Sequence, residues 1–386
     1  MDFAPTDIQT MVRDTARRFA RDQVGPYAAE MDKQARFRME LVQQMGELGF
    51  MGVAFPEEYE GGGMDYQCYA IVVEELSAVC ASTGVVVSAH SSLCCDPILK
   101  YGTEEQKRKY LPDLASGRML GCLGLTEPSA GSDAANQKTT AVLDGDQWVL
   151  NGSKIFITNG GPAGVAVVIA MTDKSAGTRG MSAFIVPADA PGYKVAKEEH
   201  KLGIRASSTA ELVFDDCRIP RENLLGNAGE GFKVALATLD GGRIGIAAQA
   251  VGIAQGALTA ATAYAKERVQ FGQPIASFQA IQHMLAEMKM NLEMFRLLVY
   301  KGAWQKDQGR ENNGLEVAQA KYFAGEVAVK CANCAMRILG AYGYSPEYPV
   351  ARYYRDVPTY VMVEGSANIC KSIIAADQLG YRKANR

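Results

Sequence analysis

The sequence predicts an α+β protein. An N-terminal α-helical unit and a C-terminal four-helix bundle flank a small antiparallel β-barrel or sandwich. Three observations carry this. Apolar residues recur at helical spacing over 1–118, strand-like runs dominate from about Met119 to about Arg221, and long helical stripes return after Gly231. The units expected are 1–118, 119–228 and 229–386.

In the first unit, Thr6 reads as a helix cap for a stripe of Ile8, Met11, Val12, Phe19 and Val24. Leu41, Met45 and Leu48 repeat the pattern, which Gly49 ends. A further helix is predicted over 67–80, and another over 104–115 after Gly102-Thr103. In the second unit, WVL at 148–150 and KIFIT at 154–158 are joined by Asn151-Gly152, a favoured hairpin turn. VAVVIAM at 165–171, MSAFIVP at 181–187, YKVAK at 193–197 and AELVFDD at 210–216 follow between Gly- or Pro-rich breaks. In the third, Ile281, Met284, Leu285, Met288, Leu292, Phe295 and Leu298 form an apolar stripe. Similar stripes over 232–266, 315–340 and 367–379 predict four long helices with short links.

Composition narrows the function classes. A chain of 386 residues, 48% hydrophobic, can bury a large core in two or three units. A net charge of −3 gives no basic surface for nucleic acid or anionic lipid. No apolar run is read as approaching the ~20 residues of a membrane span, and MDFAPTDIQT lacks the regions of a signal peptide. Nine cysteines fit a reducing compartment, a bacterial cytoplasm or a mitochondrial matrix. Cys331 and Cys334 form a lone CxxC inside a helical stripe and read as packing residues, as do Cys94 and Cys95. His90, His200 and His283 share no ligand spacing, so no metal site is expected.

Two segments suggest chemistry. Leu125–Asp133 reads LTEPSAGSD; Thr126, Ser132 and its backbone N–H groups suit a large polar ligand, although such residues also make ordinary turns. Glu364 stands after Val361, Met362 and Val363, and an apolar setting raises a carboxyl pKa toward that of a general base at neutral pH. A helix cap beginning near Ser366 is the alternative. Gly241 and Gly242 lie within a helical stripe, where glycine costs ~1 kcal/mol, so substrate access or close helix packing must explain them.

These motifs, with KIFITNG at 154–160, ERVQFG at 267–272, VEGS at 363–366 and LDGGRIGIAAQAVGIAQGAL at 239–258, resemble the acyl-CoA dehydrogenases, most closely the short-chain, butyryl-CoA branch. The resemblance implies non-covalent FAD, with Glu364 as the base that takes the α-proton of an acyl-CoA thioester while the β-hydrogen leaves as hydride. One subset of the family carries its base just before an Arg; here that position is Gly242, which cannot serve. By resemblance, Leu123, Thr126, Gly131, Ser132, Phe156, Thr158, Ser366 and Asn368 meet the cofactor. Gly340 also meets the cofactor, and Arg268, Phe271, Gln279 and Arg337 reach the cofactor of a neighbouring subunit. Ser132, Asp240, Arg243, Val363 and Gly365 meet the substrate, with Val85 and Ala89 near the far end of its channel. For Phe156 a barrel core, for Arg268 a solvated helix end, and for Asp240–Arg243 a helix-surface salt bridge are the plain alternatives.

The chain departs from the family pattern at Asn136, Arg337, Ala341, Pro358, Val363, Asn368 and Cys370. Val363 replaces a Tyr that lines the acyl pocket, which predicts a wider channel open to branched, cyclic or aromatic acyl groups. The resemblance also implies electron-transfer flavoprotein as electron acceptor, a homotetramer built as a dimer of dimers, no membrane insertion, and no additional C-terminal domain. Enoyl-CoA reduction, acyl-CoA oxidase activity and non-catalytic acyl-CoA binding are the competing functions.

Overall fold

A computed structural model describes residues 4–309 and 314–381. Its first part is helical: α1 (Asp7–Phe19), α2 (Gly25–Gln34), α3 (Glu40–Glu47), α4 (Tyr66–Val79), α5 (Ala81–Ala89), α6 (Asp96–Tyr101) and α7 (Glu104–Ala115). Thr6 and Thr103 cap α1 and α7 through reciprocal bonds with Gln9 and Gln106. Gly49 follows α3 at φ 75°, the left-handed conformation glycine tolerates. The sequence reading missed α5, the π-helical turn His90–Cys95 and α6. Every residue of α5 is buried, so no polar face marks its period.

The middle part is β1 (Gly121–Gly124), β2 (Thr140–Asp144), β3 (Gln147–Thr158), β4 (Val165–Met171), β5 (Met181–Pro187), β6 (Tyr193–Glu198), β7 (Thr209–Pro220) and β8 (Leu224–Leu225). They form one sheet in the order β6-β7-β3-β2-β4-β5-β8, with β1 beside β4. Trp148 of β3 meets Phe184 of β5 at 5.1 Å between ring centroids, although the two strands are not neighbours. The sheet therefore curls over an apolar interior. β4 is buried on both faces. Ala166, Val168 and Ala170 face that interior, while Val165, Val167 and Ile169 pack with α6, α7 and the helix that follows the sheet.

Two expectations about this sheet need correction. It is not wholly antiparallel, because β4 pairs in parallel with β1 and, at Thr140–Met171, with β2. Nor does Asn151-Gly152 make a hairpin: β3 runs straight through it with a bulge against β7. Asn151 instead exchanges hydrogen bonds with Asp216, and a Cβ on Gly152 would stand 2.5 Å from Thr139 Oγ1. The glycine serves close approach rather than reversal. The actual β2–β3 turn is Gly145-Asp146, with Gly145 at φ 60°.

The last part holds α8 (Gly231–Glu267), a two-strand ribbon of β9 (Val269–Gln270) and β10 (Gln273–Pro274), then α9 (Gln279–Asp307), α10 (Gly314–Leu339), α11 (Pro349–Asp356), α12 (Thr359–Met362) and α13 (Ala367–Gln378). Three helices are long, but α13 has only 12 residues. The connection from α10 to α13 is not short, since it carries α11, α12 and the Glu364 turn. Helix α8 also amends the membrane reading. It is long and apolar enough to span a bilayer, yet 83% of its most apolar window is buried inside the protein. Its apolar surface is spent against α4, α5, α9 and α10 in one continuous core.

Candidate active site

A cavity of about 300 Å³ lies where the three parts meet. Its walls come from α5 and the π-helical turn (Val85, Ala89, Leu93), the end of β3 (Phe156, Thr158), the loop 201–207, α8 (Gly242, Ile246, Gln249) and the stretch from Pro358 to Glu364. The predicted Glu364, Val363, Phe156, Thr158, Val85 and Ala89 thus converge on one space, although they come from segments far apart in sequence.

Glu364 follows α12 in an unusual backbone state, with φ of 54° for Glu364 and 90° for Gly365. A non-glycine residue held there costs on the order of 1–3 kcal/mol and persists only when its surroundings enforce it. They do so here. Arg243 Nε donates to the Glu364 carbonyl at 3.2 Å, and Lys321 Nζ donates to the Gly365 carbonyl at 2.6 Å. The carboxylate is not a cap: the hydroxyl of Ser366 caps α13 by accepting from the Ile369 N–H. Glu364 Oε2 is buried without a hydrogen-bond partner. Burial pushes the carboxyl up to about 7, against the opposing pull of Arg243 and Lys321. The group can therefore take a proton at neutral pH and hold it.

Phe156 sits at φ 57°, in a bulge of β3 between Lys154 and Ile157, with 61% of its surface exposed. It is not a barrel core residue. Leaving such a ring in water forgoes ~1.5–3 kcal/mol of burial. The exposed ring and the Thr158 side chain beside it suit a flat, partly polar ligand. Ile155 N donates to the Thr126 carbonyl at 2.9 Å, which sets the Leu125–Asp133 loop beside Phe156. In that loop Gly131 and Ser132 are exposed and Thr126 is half-buried, outside the cavity itself. Leu123 packs into the apolar cluster beneath the sheet, so its side chain is core.

Asp240 and Arg243 do pair, at 2.6 Å, but Arg243 is only 6% exposed. The pair is not a helix-surface bridge. It orients the guanidinium that holds the Glu364 carbonyl. Gly365 forms the turn itself, and Asn368 is exposed in the first turn of α13.

The remaining predicted group is elsewhere. Arg268 ends α8 with its guanidinium over the Tyr342 ring, and Phe271 is 93% exposed in the ribbon. Gln279 opens α9, while Arg337 and Gly340 close α10, all three exposed. Twenty-six residues of helix separate Gly242 from Arg268, about 39 Å. The two groups therefore do not line one cavity.

Sequence reasoning missed three supports. Gln249 lines the cavity, fully buried, with neither Oε1 nor Nε2 partnered. Its signal was present: Gly242, Ile246 and Gln249 share one helical face. The buried pair Lys154–Glu127, at 2.7 Å, anchors the Leu125–Asp133 loop, with Glu127 also accepting from the N–H groups of Lys138 and Thr139. Lys321 is the third. No spacing marked either lysine, because each bonds to a group far away in the chain. The expectation of packing cysteines agrees with nine free and buried thiols, and no His/Cys/Asp/Glu group suited to a metal occurs among the described residues.

Family models for the N-terminal, middle and C-terminal domains of acyl-CoA dehydrogenase match residues 6–118, 122–217 and 229–379. The chain is 51% identical to a short-chain specific acyl-CoA dehydrogenase of Clostridium acetobutylicum, over 97% of this chain and 99% of that one. It is also 51% identical to a glutaryl-CoA dehydrogenase of Desulfococcus multivorans, over the full length of both. The solved butyryl-CoA dehydrogenase of Megasphaera elsdenii superposes with a TM-score of 0.96 at 46% identity, over 98% of this chain and 100% of that one.

Proposed function

The chain belongs to the acyl-CoA dehydrogenase family of FAD-dependent oxidoreductases, and from that premise we propose that it desaturates a short-chain acyl-CoA between its α and β carbons. The observation that carries this reading is Glu364, which lines the cavity with its carboxylate oxygen Oε2 buried and without a hydrogen-bond partner. The residues present suit the cofactor: an exposed Phe156 beside Thr158 fits the face of a planar ring, and the loop that carries half-buried Thr126 and exposed Gly131 and Ser132 adjoins it. Bound FAD supplies the acceptor for the β-hydride. The chain supplies the rest. Glu364 takes the α-proton at its carboxylate, Arg243 and Lys321 hold the turn that aims it, and the largely apolar walls exclude water from the proton being moved.

A second reading of the acyl group rests on Gln249. A buried amide with neither end satisfied costs ~1–3 kcal/mol per lost partner. An acyl group with a polar far end, such as the glutaryl group named for the Desulfococcus relative, would satisfy it. The proposed acceptor is electron-transfer flavoprotein, and the proposed assembly is a homotetramer. The 39 Å estimate supports the latter, because Arg268, Phe271, Gln279, Arg337 and Gly340 then serve a neighbour's FAD. So does the apolar stripe of Met290, Met294 and Leu297 exposed on α9. An anaerobic panel of butyryl-, isobutyryl-, cyclohexanecarboxyl- and glutaryl-CoA, scored by flavin bleaching, tests the function. Rapid bleaching by at least one is expected; failure of all four overturns a short-chain dehydrogenase.

A further inference from the structure

We infer that Lys321 is a positioning residue for the base: its ammonium holds the Gly365 carbonyl and, with Arg243, locks the Glu364-Gly365 turn so that the carboxylate faces substrate in its ionised form. This rests on the reading of Glu364 as the base.

Lys321 is 1% exposed, and among the described residues no carboxylate oxygen lies within ion-pair distance of its Nζ. Its Nζ donates a hydrogen bond to the Gly365 carbonyl at 2.6 Å. A buried, unpaired ammonium is costly, and a methionine of similar length would fill the site without that cost. The place of the lysine shows what it does. One turn further along α10, a Cβ on Gly325 would lie 2.7 Å from the Tyr360 carbonyl, so α10 presses against α12 just before the Glu364 turn. Lys321 reaches from that contact into the turn. Arg243 reaches it from α8, on the carbonyl one residue earlier.

Two successive carbonyls in a strained turn thus each accept from a buried cation. Loss of either bond would let φ at 364 relax and swing the carboxylate off its line. The cations also act on charge. The groups around the turn are Asp240 and Arg243 of α8, Lys321 of α10, Cys370 of α13 and Tyr69 of α4. Lys321 and Arg243 favour the ionised carboxylate, while desolvation favours the neutral acid. Burial draws Lys321 itself down to about 8, so it remains largely charged at neutral pH.

The test uses FAD-loaded Lys321→Met and Lys321→Gln, with Glu364→Gln as control. Each is assayed for acyl-CoA bleaching against pH and, independently of flavin chemistry, for the Glu364 carboxyl band by infrared difference against the control. Removing the cation should raise the midpoint of both titrations by about one pH unit and slow bleaching at pH 7 about fivefold. Acyl-CoA affinity should be unchanged. If Met prevents folding, Gln carries the test, since it keeps a donor without the charge. A folded variant with both midpoints unmoved overturns the role of Lys321. A Glu364→Gln control that bleaches at the wild-type rate would instead overturn Glu364 as the base.

Discussion

The Glu364 carboxylate lies against the bare Cα of Gly242: a Cβ there would come within 2.5 Å of Oε2 and 2.8 Å of Leu93 Cδ2. The residue before Arg243 therefore faces the same point as Glu364. Only glycine at 242 leaves the carboxylate its place.

Gly242→Ala follows directly. The extra methyl must displace the carboxylate or the leucine, so bleaching by acyl-CoA is expected to slow at least tenfold. Helix propensity changes in the other direction, by ~1 kcal/mol in favour of alanine, so the melting temperature should hold. Stopped-flow absorbance beside thermal melting separates the two. A variant that melts normally and bleaches at the wild-type rate would show that the contact does not matter.

Glu364→Gln removes the base and keeps its shape. Bleaching should slow by roughly 10²–10⁴-fold while acyl-CoA still binds. In the wild type the carboxyl is raised to about 7, and the base works only when ionised. The bleaching rate should thus climb as pH rises through about 7 and level off above it. A flat profile between pH 6 and 8 would contradict the assignment.

Val363 lines the cavity and is 38% exposed. Val363→Tyr fills that space with a ring, and discrimination between straight and branched or cyclic acyl-CoA should shift toward straight chains by the ~1–3 kcal/mol of a methylene-sized fit. The ratio of kcat/KM for butyryl- and isobutyryl-CoA reports it. An unchanged ratio means that residue 363 does not shape the channel.

Gln249→Leu distinguishes the two readings of the acyl group. Leucine removes the unsatisfied amide, so a butyryl-CoA enzyme should keep its kcat/KM or improve and gain stability. If glutaryl-CoA is used, its kcat/KM should fall by an order of magnitude or more, because its polar end would be left unpaired. Parallel assays with both thioesters decide.

Arg268→Ala tests assembly together with cofactor binding. Light scattering of the wild type is expected to give four times the chain mass. The variant should hold less FAD, read from flavin absorbance per protein. A monomeric, fully flavinated wild type would refute sharing between protomers.

Local chemistry was legible in the chain. Thr6 and Thr103 announced their helices because a cap needs only its own first turn. The apolar residues before Glu364 left it open between a base and a helix cap, and the family motif at 363–366 decided between them, while the α–β–α order showed through changes of period. Asn151-Gly152 misled because the same dipeptide serves a turn or a bulge, and only the strand packed against it, β7, decides which. α5 stayed hidden because a helix buried all round has no face to show.

By itself, then, the sequence determined the helices and strands that are set by neighbours within a few residues, and the family through motifs that are contiguous in the chain. Tertiary structure alone decided which residues share the cavity. Gly242, Gln249 and Glu364 line it and Lys321 holds the turn beside it; they come from three segments of the last part, and they meet only when α8, α10 and the α12 turn close together. The same closure raises the Glu364 carboxyl, leaves Gln249 unsatisfied and buries Lys321. Desolvation depends on what surrounds a group in space, and a sequence orders its residues along one dimension only.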